Sequence, residues 1–143
     1  MIINPFDEEN SEPNYWLSCL LINEEGMCKQ VRSECEALYI PEEGKSCPTE
    51  ILEAITALNA EGRPIWKPMH MQPIYRMHGF VTREGDGRAK TNAYIAGGSK
   101  GKDGKPLDVS MDIFHRGLCL PSDNKMTVEE QDRIIEVIRG CFK

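Results

Sequence analysis

The sequence predicts a small two-layer α/β domain, in which a short mixed sheet is covered by helices. Two stretches have the apolar spacing of a helix, one after Pro48 and one after Thr127. Two other apolar runs, residues 14–22 and 117–123, have the length of single strands. A chain of 143 residues can bury one core of its own, so we expect a single domain over residues 1–143.

The net charge argues against two broad classes of partner. The chain carries 17 Lys plus Arg against 23 Asp plus Glu, a formal net charge of −6. Binding to nucleic acid or to an anionic membrane needs clustered cations, so we expect neither partner. No stretch approaches the roughly 18 apolar residues that cross a bilayer, and the start of the chain has no basic and apolar leader pattern. We therefore expect a cytoplasmic protein.

The cysteine spacing argues against a metal site. None of the six cysteines forms a Cys-x-x-Cys pair, and the three histidines have no ligand spacing to them. Cys19, Cys119 and Cys141 fall on apolar faces of predicted elements, so in a reducing compartment we expect these three to be small buried hydrophobic residues and not disulfide bridges. The six cysteines of the chain are Cys19, Cys28, Cys35, Cys47, Cys119 and Cys141.

The first forty residues predict a lead-in followed by a strand. Residues 1–13 are acidic and polar with two prolines, which indicates an irregular lead-in. Residues 14–22 are aromatic and aliphatic without a breaker, which predicts a largely buried strand. Residues 23–26 predict a turn. Residues 27–40 leave two structures open, because their apolar positions have helical spacing while Ala37–Ile40 suits a short strand.

The clearest early helix begins at Pro48. Proline suits the first helical position, and Glu50 places a carboxylate in the first turn, where the helix dipole favours it. Gly62, followed by Arg63 and Pro64, is expected to stop this helix. Its apolar stripe consists of Ile51, Leu52, Ile55 and Leu58.

Residues 76–106 predict a flexible insertion. A stretch this long without structural signals is usually functional or disordered. Its glycine-rich part, residues 97–105, lacks the spacing of a phosphate-binding Walker loop, so we expect a hydrated surface loop.

The remaining residues predict helix, strand and helix. Asp108 can cap a short helix that ends before Gly117. Residues 117–123 predict a short buried strand that stops at Pro121. Thr127 and Glu130 form a capping box, and a final amphipathic helix follows.

Residues 63–75, Arg-Pro-Ile-Trp-Lys-Pro-Met-His-Met-Gln-Pro-Ile-Tyr, form the most unusual stretch. Three prolines fix three φ angles and remove three donors, so we expect extended chain at a sheet edge or on a surface. Met69 and Met71 would then share one face of it. The groups that hold a polar, ring-bearing ligand are offered here by Trp66, Lys67, His70, Gln72 and Tyr75. The alternative is that Trp66 belongs to the core.

Common catalytic patterns are absent from the sequence. There is no Gly-x-Ser-x-Gly, His-Glu-x-x-His or Gly-x-Gly-x-x-Gly motif. Asp112 and His115, three residues apart on a predicted helix, are expected to be an ordinary surface pair. We therefore assign no catalytic residue.

Three stretches in order resemble one family. They are residues 63–75, then Gly-Leu-Cys-Leu-Pro-Ser at 117–122, then Met126-Thr127 with the closing helix. Together they resemble the carboxy-terminal small domain of the DegT/DnrJ/StrS family, which are pyridoxal-phosphate-dependent sugar aminotransferases of fold type I. Asn4-Pro5 and the run from Asn14 to Leu17 also fit. Longer segments at 24–47 and 79–106 depart from the family pattern.

The resemblance implies part of an enzyme that transfers an amino group from glutamate to a nucleotide-linked keto sugar, as in polysaccharide biosynthesis. The family's large domain supplies the lysine that holds pyridoxal phosphate, and the full enzyme is expected to be a homodimer. The segment bearing that lysine has no counterpart in this sequence, so we expect the chain alone to be inactive. The alternative is a non-catalytic module that binds a nucleotide sugar or a protein.

The resemblance also implies a substrate-binding role for Trp66, Lys67, His70 and Gln72. Trp66 would pack on a sugar or base, and Lys67 would meet a phosphate or carboxylate. His70 and Gln72 would bond to sugar hydroxyls. His70 is expected to orient the substrate and not to transfer the proton.

Overall fold

The computed structural model describes residues 2–3, 7, 9–32, 37–75 and 100–143. The chain divides into two compact units: Met1–Pro64 with Arg116–Lys143, and Ile65–His115. Most of the predicted insertion at 76–106 lies outside the described residues, as do residues 4–6. The expectation of a single domain over residues 1–143 stays a prediction.

The first unit is built on a four-stranded sheet with the order β1-β2-β6-β5. The strands are β1 (Ile2–Ile3), β2 (Cys19–Leu21), β5 (Arg63–Pro64) and β6 (Gly117–Cys119). Every neighbouring pair is antiparallel. Since β2 and β5 are each antiparallel to β6, they run parallel to each other on either side of it. With the helices packed against the core of this sheet, the structure confirms the predicted α/β class.

The predicted strand over residues 14–22 is wrong in its first half. Only Cys19–Leu21 forms β2, whereas Tyr15 has a φ of 54° and Trp16 is 71% exposed. The Oδ1 of Asn14 accepts a hydrogen bond from the backbone N–H of Trp16 at 3.1 Å. Such a local side-chain bond starts a turn and competes with strand pairing, in spite of the aromatic composition.

A second sheet resolves the ambiguity over residues 27–40. Strands β3 (Lys29–Arg32) and β4 (Ala37–Ile40) pair antiparallel, with Lys29 opposite Ile40. The helical alternative for this segment is wrong, and the short strand Ala37–Ile40 is confirmed. Val31 and Leu38, two of the residues with helical spacing, are more than half exposed. Residues 33–36, which include Cys35, lie outside the described part.

Helix α1 (Pro48–Ala57) starts as predicted, with Cys47 as the N-cap residue and Pro48 in the first turn. Its end differs from the prediction. The helix finishes at Ala57, and Asn59 has a φ of 58°, so Gly62 does not stop it. Gly62 is required for packing instead, because a Cβ there would lie 2.8 Å from Leu52 Cδ2 and 3.2 Å from the Cys119 carbonyl oxygen.

Helix α3 (Val128–Gly140) completes the core of the first unit. The predicted capping box is confirmed: the Glu130 N–H donates to Thr127 Oγ1 at 3.2 Å, and the Thr127 N–H donates to Glu130 Oε2 at 2.9 Å. The buried apolar residues of the two helices and the sheet form one cluster. Its members are Leu20, Ile22, Ile51, Ile55, Leu118, Ile134 and Ile138.

The second unit contains two 3-10 turns, Met69–Met71 and Pro73–Tyr75, and most of α2 (Val109–Arg116). The start of α2 after Asp108 is confirmed, because Asp108 Oδ1 accepts a hydrogen bond from the Met111 N–H at 3.0 Å. The buried side chains of Met71 and Met111 pack together with Phe114. This contact holds the first 3-10 turn against α2.

Candidate functional site

The segment 63–75 is extended only in part. Arg63–Pro64 forms the edge strand β5, as the prolines predicted. The expectation of extended chain is wrong for residues 69–75, which form two 3-10 turns. Each turn directly follows or begins with a proline, whose fixed φ suits that position and whose missing N–H is not needed there. The fixed φ angle of proline, which had predicted extended chain, thus also suits these 3-10 turns.

Trp66 lies on the surface of the second unit. Its side chain is 62% exposed, so the alternative that it belongs to the core is wrong. Within the same short segment Met69, Ile74 and Tyr75 are also exposed. We refer to the exposed side chains of residues 66–75 as the 66–75 surface. The exposure of Trp66 is consistent with its predicted role of stacking on a ring.

A hydrogen bond links the side chain of Gln72 to the backbone of Lys67. The Gln72 Nε2 donates a hydrogen bond to the Lys67 carbonyl oxygen at 3.3 Å, across the first 3-10 turn. Lys67 is partly exposed, and its Nζ forms no ion pair with any described residue. Gln72 therefore helps to shape the segment.

His70 lies beside a buried carboxylate that the sequence did not connect with it. The Nε2 of His70 is 2.7 Å from Asp108 Oδ2, and the two side chains are only 14% and 2% exposed. An imidazole beside a carboxylate is held in one ring orientation. The expectation that Met69 and Met71 share a face opposite His70 is wrong, since Met71 is 4% exposed and Met69 is 64% exposed.

Asp108 is the residue at this site that sequence reasoning assigned only a capping role. Its Oδ1 accepts hydrogen bonds from the Met111 N–H and from Ser110 Oγ, both at 3.0 Å. Its Oδ2 faces His70. One carboxylate thus fixes both the start of α2 and the imidazole. The sequence indicated that Asp108 could cap a helix, but it did not indicate the contact of Asp108 with the distant His70.

Clefts border the helices of the first unit. One, of about 360 Å³, is lined by the end of α1 and the start of α3; another, of about 740 Å³, is bordered by α1, β4 and α3. In the second, the Tyr39 hydroxyl donates to Glu53 Oε2 at 3.1 Å, and burial together with this bond raises the pKa of Tyr39 to about 12. Trp66, Lys67, His70 and Gln72 line neither cleft.

The described residues do not form a binding site for a metal or for covalently bound pyridoxal phosphate. Over residues 9–32, 37–75 and 100–143 no cluster of three or more histidine, cysteine or acidic side chains is arranged to bind a metal ion. In those same ranges no lysine is buried. A Schiff-base lysine needs an enclosed site that lowers its pKa and positions the cofactor, so the lysines that are described do not fit this role.

None of the described helices is long and apolar enough to cross a membrane. No protein-family model matches the chain.

The sequence is nevertheless similar to that of a protein named as a pyridoxal phosphate-dependent aminotransferase. Over 95 residues, or 66% of this chain, it is 35% identical to EpsN of Bacillus subtilis (strain 168), a protein named as a candidate enzyme of that class. The match covers 19% of EpsN, so the chain spans about a fifth of the length of this relative.

Proposed function

We propose that this chain is the carboxy-terminal small domain of a DegT/DnrJ/StrS-type sugar aminotransferase. The observation that carries the proposal is the 35% identity over 95 residues to an aminotransferase relative of which only 19% is matched. A short α/β unit with a surface segment at residues 63–75 is consistent with such a part. In the complete enzyme, glutamate would donate the amino group and a nucleotide-linked keto sugar would accept it.

In this proposal the segment 63–75 contributes the substrate contacts of the small domain. Trp66 stacks on a sugar or base ring, which its exposure permits. Lys67 contacts a phosphate of the nucleotide through its ammonium group. His70, oriented by Asp108 at 2.7 Å, bonds to a sugar hydroxyl. Gln72 shapes the turn through its bond to Lys67 and can accept a further hydrogen bond at its amide oxygen.

The chemistry then belongs to a separate pyridoxal-phosphate-binding domain. When bound, the cofactor supplies the electron sink for amino transfer, and the residues described here only bind and orient the sugar. We propose that the 66–75 surface packs on that larger domain, because four large apolar side chains within ten residues are exposed. The complete enzyme would act as a homodimer in polysaccharide biosynthesis.

An assay of amino transfer tests this proposal. The purified chain is incubated with pyridoxal phosphate, glutamate and a nucleotide-linked 4-keto sugar, and the amino sugar is measured by mass spectrometry. We expect no product from the chain alone, and product once a separately purified large domain that binds pyridoxal phosphate is added. Product formed by the chain alone would overturn the assignment of the chemistry to another domain.

A second candidate function is a non-catalytic module that binds a nucleotide sugar. The exposed indole of Trp66, next in sequence to Lys67, favours it, because the Lys67 ammonium forms no ion pair with a described residue and the two residues offer a stacking ring and a cation. Fluorescence titration with a nucleotide sugar in a Trp16→Phe background separates the two functions. Binding that is lost in Lys67→Ala supports the module, whereas no binding supports a site that another domain completes.

A further inference from the structure

We propose that Cys19 and Cys119 form a disulfide-forming thiol pair that can covalently join the two central strands of the sheet. The two residues are separated by 100 positions in the sequence, yet they are direct partners in the register of β2 and β6. Their Sγ atoms lie 3.8 Å apart. A disulfide has an S–S distance of about 2.0 Å, so each sulfur needs to move by only about 1 Å.

The backbone pattern places the pair at the type of position that suits a cross-strand bond. The neighbouring pair is hydrogen-bonded, since the Leu120 N–H donates to the Ser18 carbonyl oxygen at 2.8 Å. Hydrogen-bonded and non-hydrogen-bonded pairs alternate along antiparallel strands, so Cys19 and Cys119 occupy a non-hydrogen-bonded pair. There the Cα atoms approach to about 4.5 Å, which lies within the range that a disulfide accepts.

The exposure of the two thiols determines which of them a reagent reaches first. Cys119 is 3% exposed, whereas Cys19 is partly exposed and is the thiol that a small reagent reaches first. Burial, and next the proximity of Cys19, raises the pKa of the Cys119 thiol to about 11 from an ordinary value of 9.0. The Cys119 thiol is therefore mostly protonated at neutral pH, and it attacks a disulfide faster as the pH rises towards that value.

The reaction we propose is exchange with a small disulfide such as oxidised glutathione. The Cys19 sulfur, having lost its proton, attacks one sulfur of the reagent and releases one molecule of glutathione thiol, which takes up the proton. The Cys119 sulfur then attacks Cys19, loses its proton and releases the second glutathione thiol. Two protein thiols and one small disulfide thus become one protein disulfide and two small thiols.

The test compares the reduced chain with the chain treated with oxidised glutathione under native conditions. We expect the intact mass to fall by two hydrogen atoms, and peptide mapping to find a cross-link between Cys19 and Cys119. Because the bond closes a long loop of the unfolded chain, we expect Tm to rise by about 10 °C and to return on reduction. This comparison uses the natural sequence and needs no variant to fold.

Two variants supply the controls. Cys19→Ala should give neither the cross-link nor the rise in Tm. Cys141→Ala removes a partly buried thiol whose Sγ bonds to the Val137 carbonyl oxygen at 3.4 Å, and it should leave both effects unchanged. The proposal is overturned if only mixed glutathione disulfides accumulate, if the cross-link joins other cysteines, or if the Cys19 to Cys119 cross-link lowers Tm.

Discussion

Replacing Asp108 with alanine removes two interactions, each made by a different carboxylate oxygen of that side chain. Its Oδ1 accepts two hydrogen bonds at the start of α2, from the Met111 N–H and Ser110 Oγ at 3.0 Å each. An N-cap of this kind contributes about 1 kcal/mol to the free energy of unfolding. Its Oδ2 lies 2.7 Å from His70 Nε2, and the loss of a buried polar contact of this kind costs about 1 to 3 kcal/mol.

We expect Asp108→Ala to lower the free energy of unfolding by about 3 kcal/mol, the sum of both contributions. Asp108→Asn keeps a good N-cap acceptor but removes the charge that faces His70, so we expect a loss of about 2 kcal/mol. Urea unfolding followed by circular dichroism measures these values. Amide hydrogen exchange at Met111 measures the cap alone, which should open in the alanine variant and stay protected in the asparagine variant.

Asp103→Ala is the matched control, because it removes an exposed carboxylate whose Oδ1 accepts a hydrogen bond from the Lys105 N–H at 3.1 Å. It should cost well under 1 kcal/mol. The reasoning is refuted if Asp108→Asn behaves like this control. It is also refuted if Asp108→Asn and His70→Ala have strictly additive effects on stability, since a direct contact predicts coupling.

Three further predictions follow from other parts of the molecule. Gly62→Ala should lower the free energy of unfolding in urea by about 1 to 3 kcal/mol, because the added Cβ would lie 3.2 Å from a backbone carbonyl oxygen. Gly140→Ala should not lower it, because a Cβ there would have nothing within 4 Å. Burial, followed by the neighbouring Cys47, raises the pKa of Cys28 from 9.0 to about 12; stability should therefore be full below pH 9 and fall as the pH rises from 9 towards 12, and Cys28→Ala should reduce that fall. The 66–75 surface should cause self-association in light scattering, and a clean monomer at high concentration would contradict this.

The parts of the fold that sequence predicted well depend on neighbouring residues. The capping box of Thr127, the proline start of α1 at Pro48 and the cap of α2 at Asp108 are each defined within four positions of the chain. A local hydrogen bond also explains the clearest error. Asn14 bonds to the N–H of Trp16 and forms a turn where hydrophobic composition had predicted strand.

The contacts that sequence could not predict join distant residues. His70 meets Asp108 only because the Met69–Met71 turn packs through Met71 against α2. The pattern of residues around His70 gives no information about which distant residue it contacts. The exposure of Trp66 decided between two alternatives that composition had left open. The binding roles of Trp66, Lys67, His70 and Gln72 stay predictions.

The central proposal is that this chain is one part of an aminotransferase and that another domain carries the cofactor chemistry. Reductive trapping tests it most directly: the full chain is mixed with pyridoxal phosphate, treated with borohydride and analysed by mass spectrometry with peptide mapping. We expect at most weak, scattered labelling of exposed lysines, because no described lysine is buried. Stoichiometric labelling of one lysine, abolished when that lysine is changed to arginine, would contradict the claim.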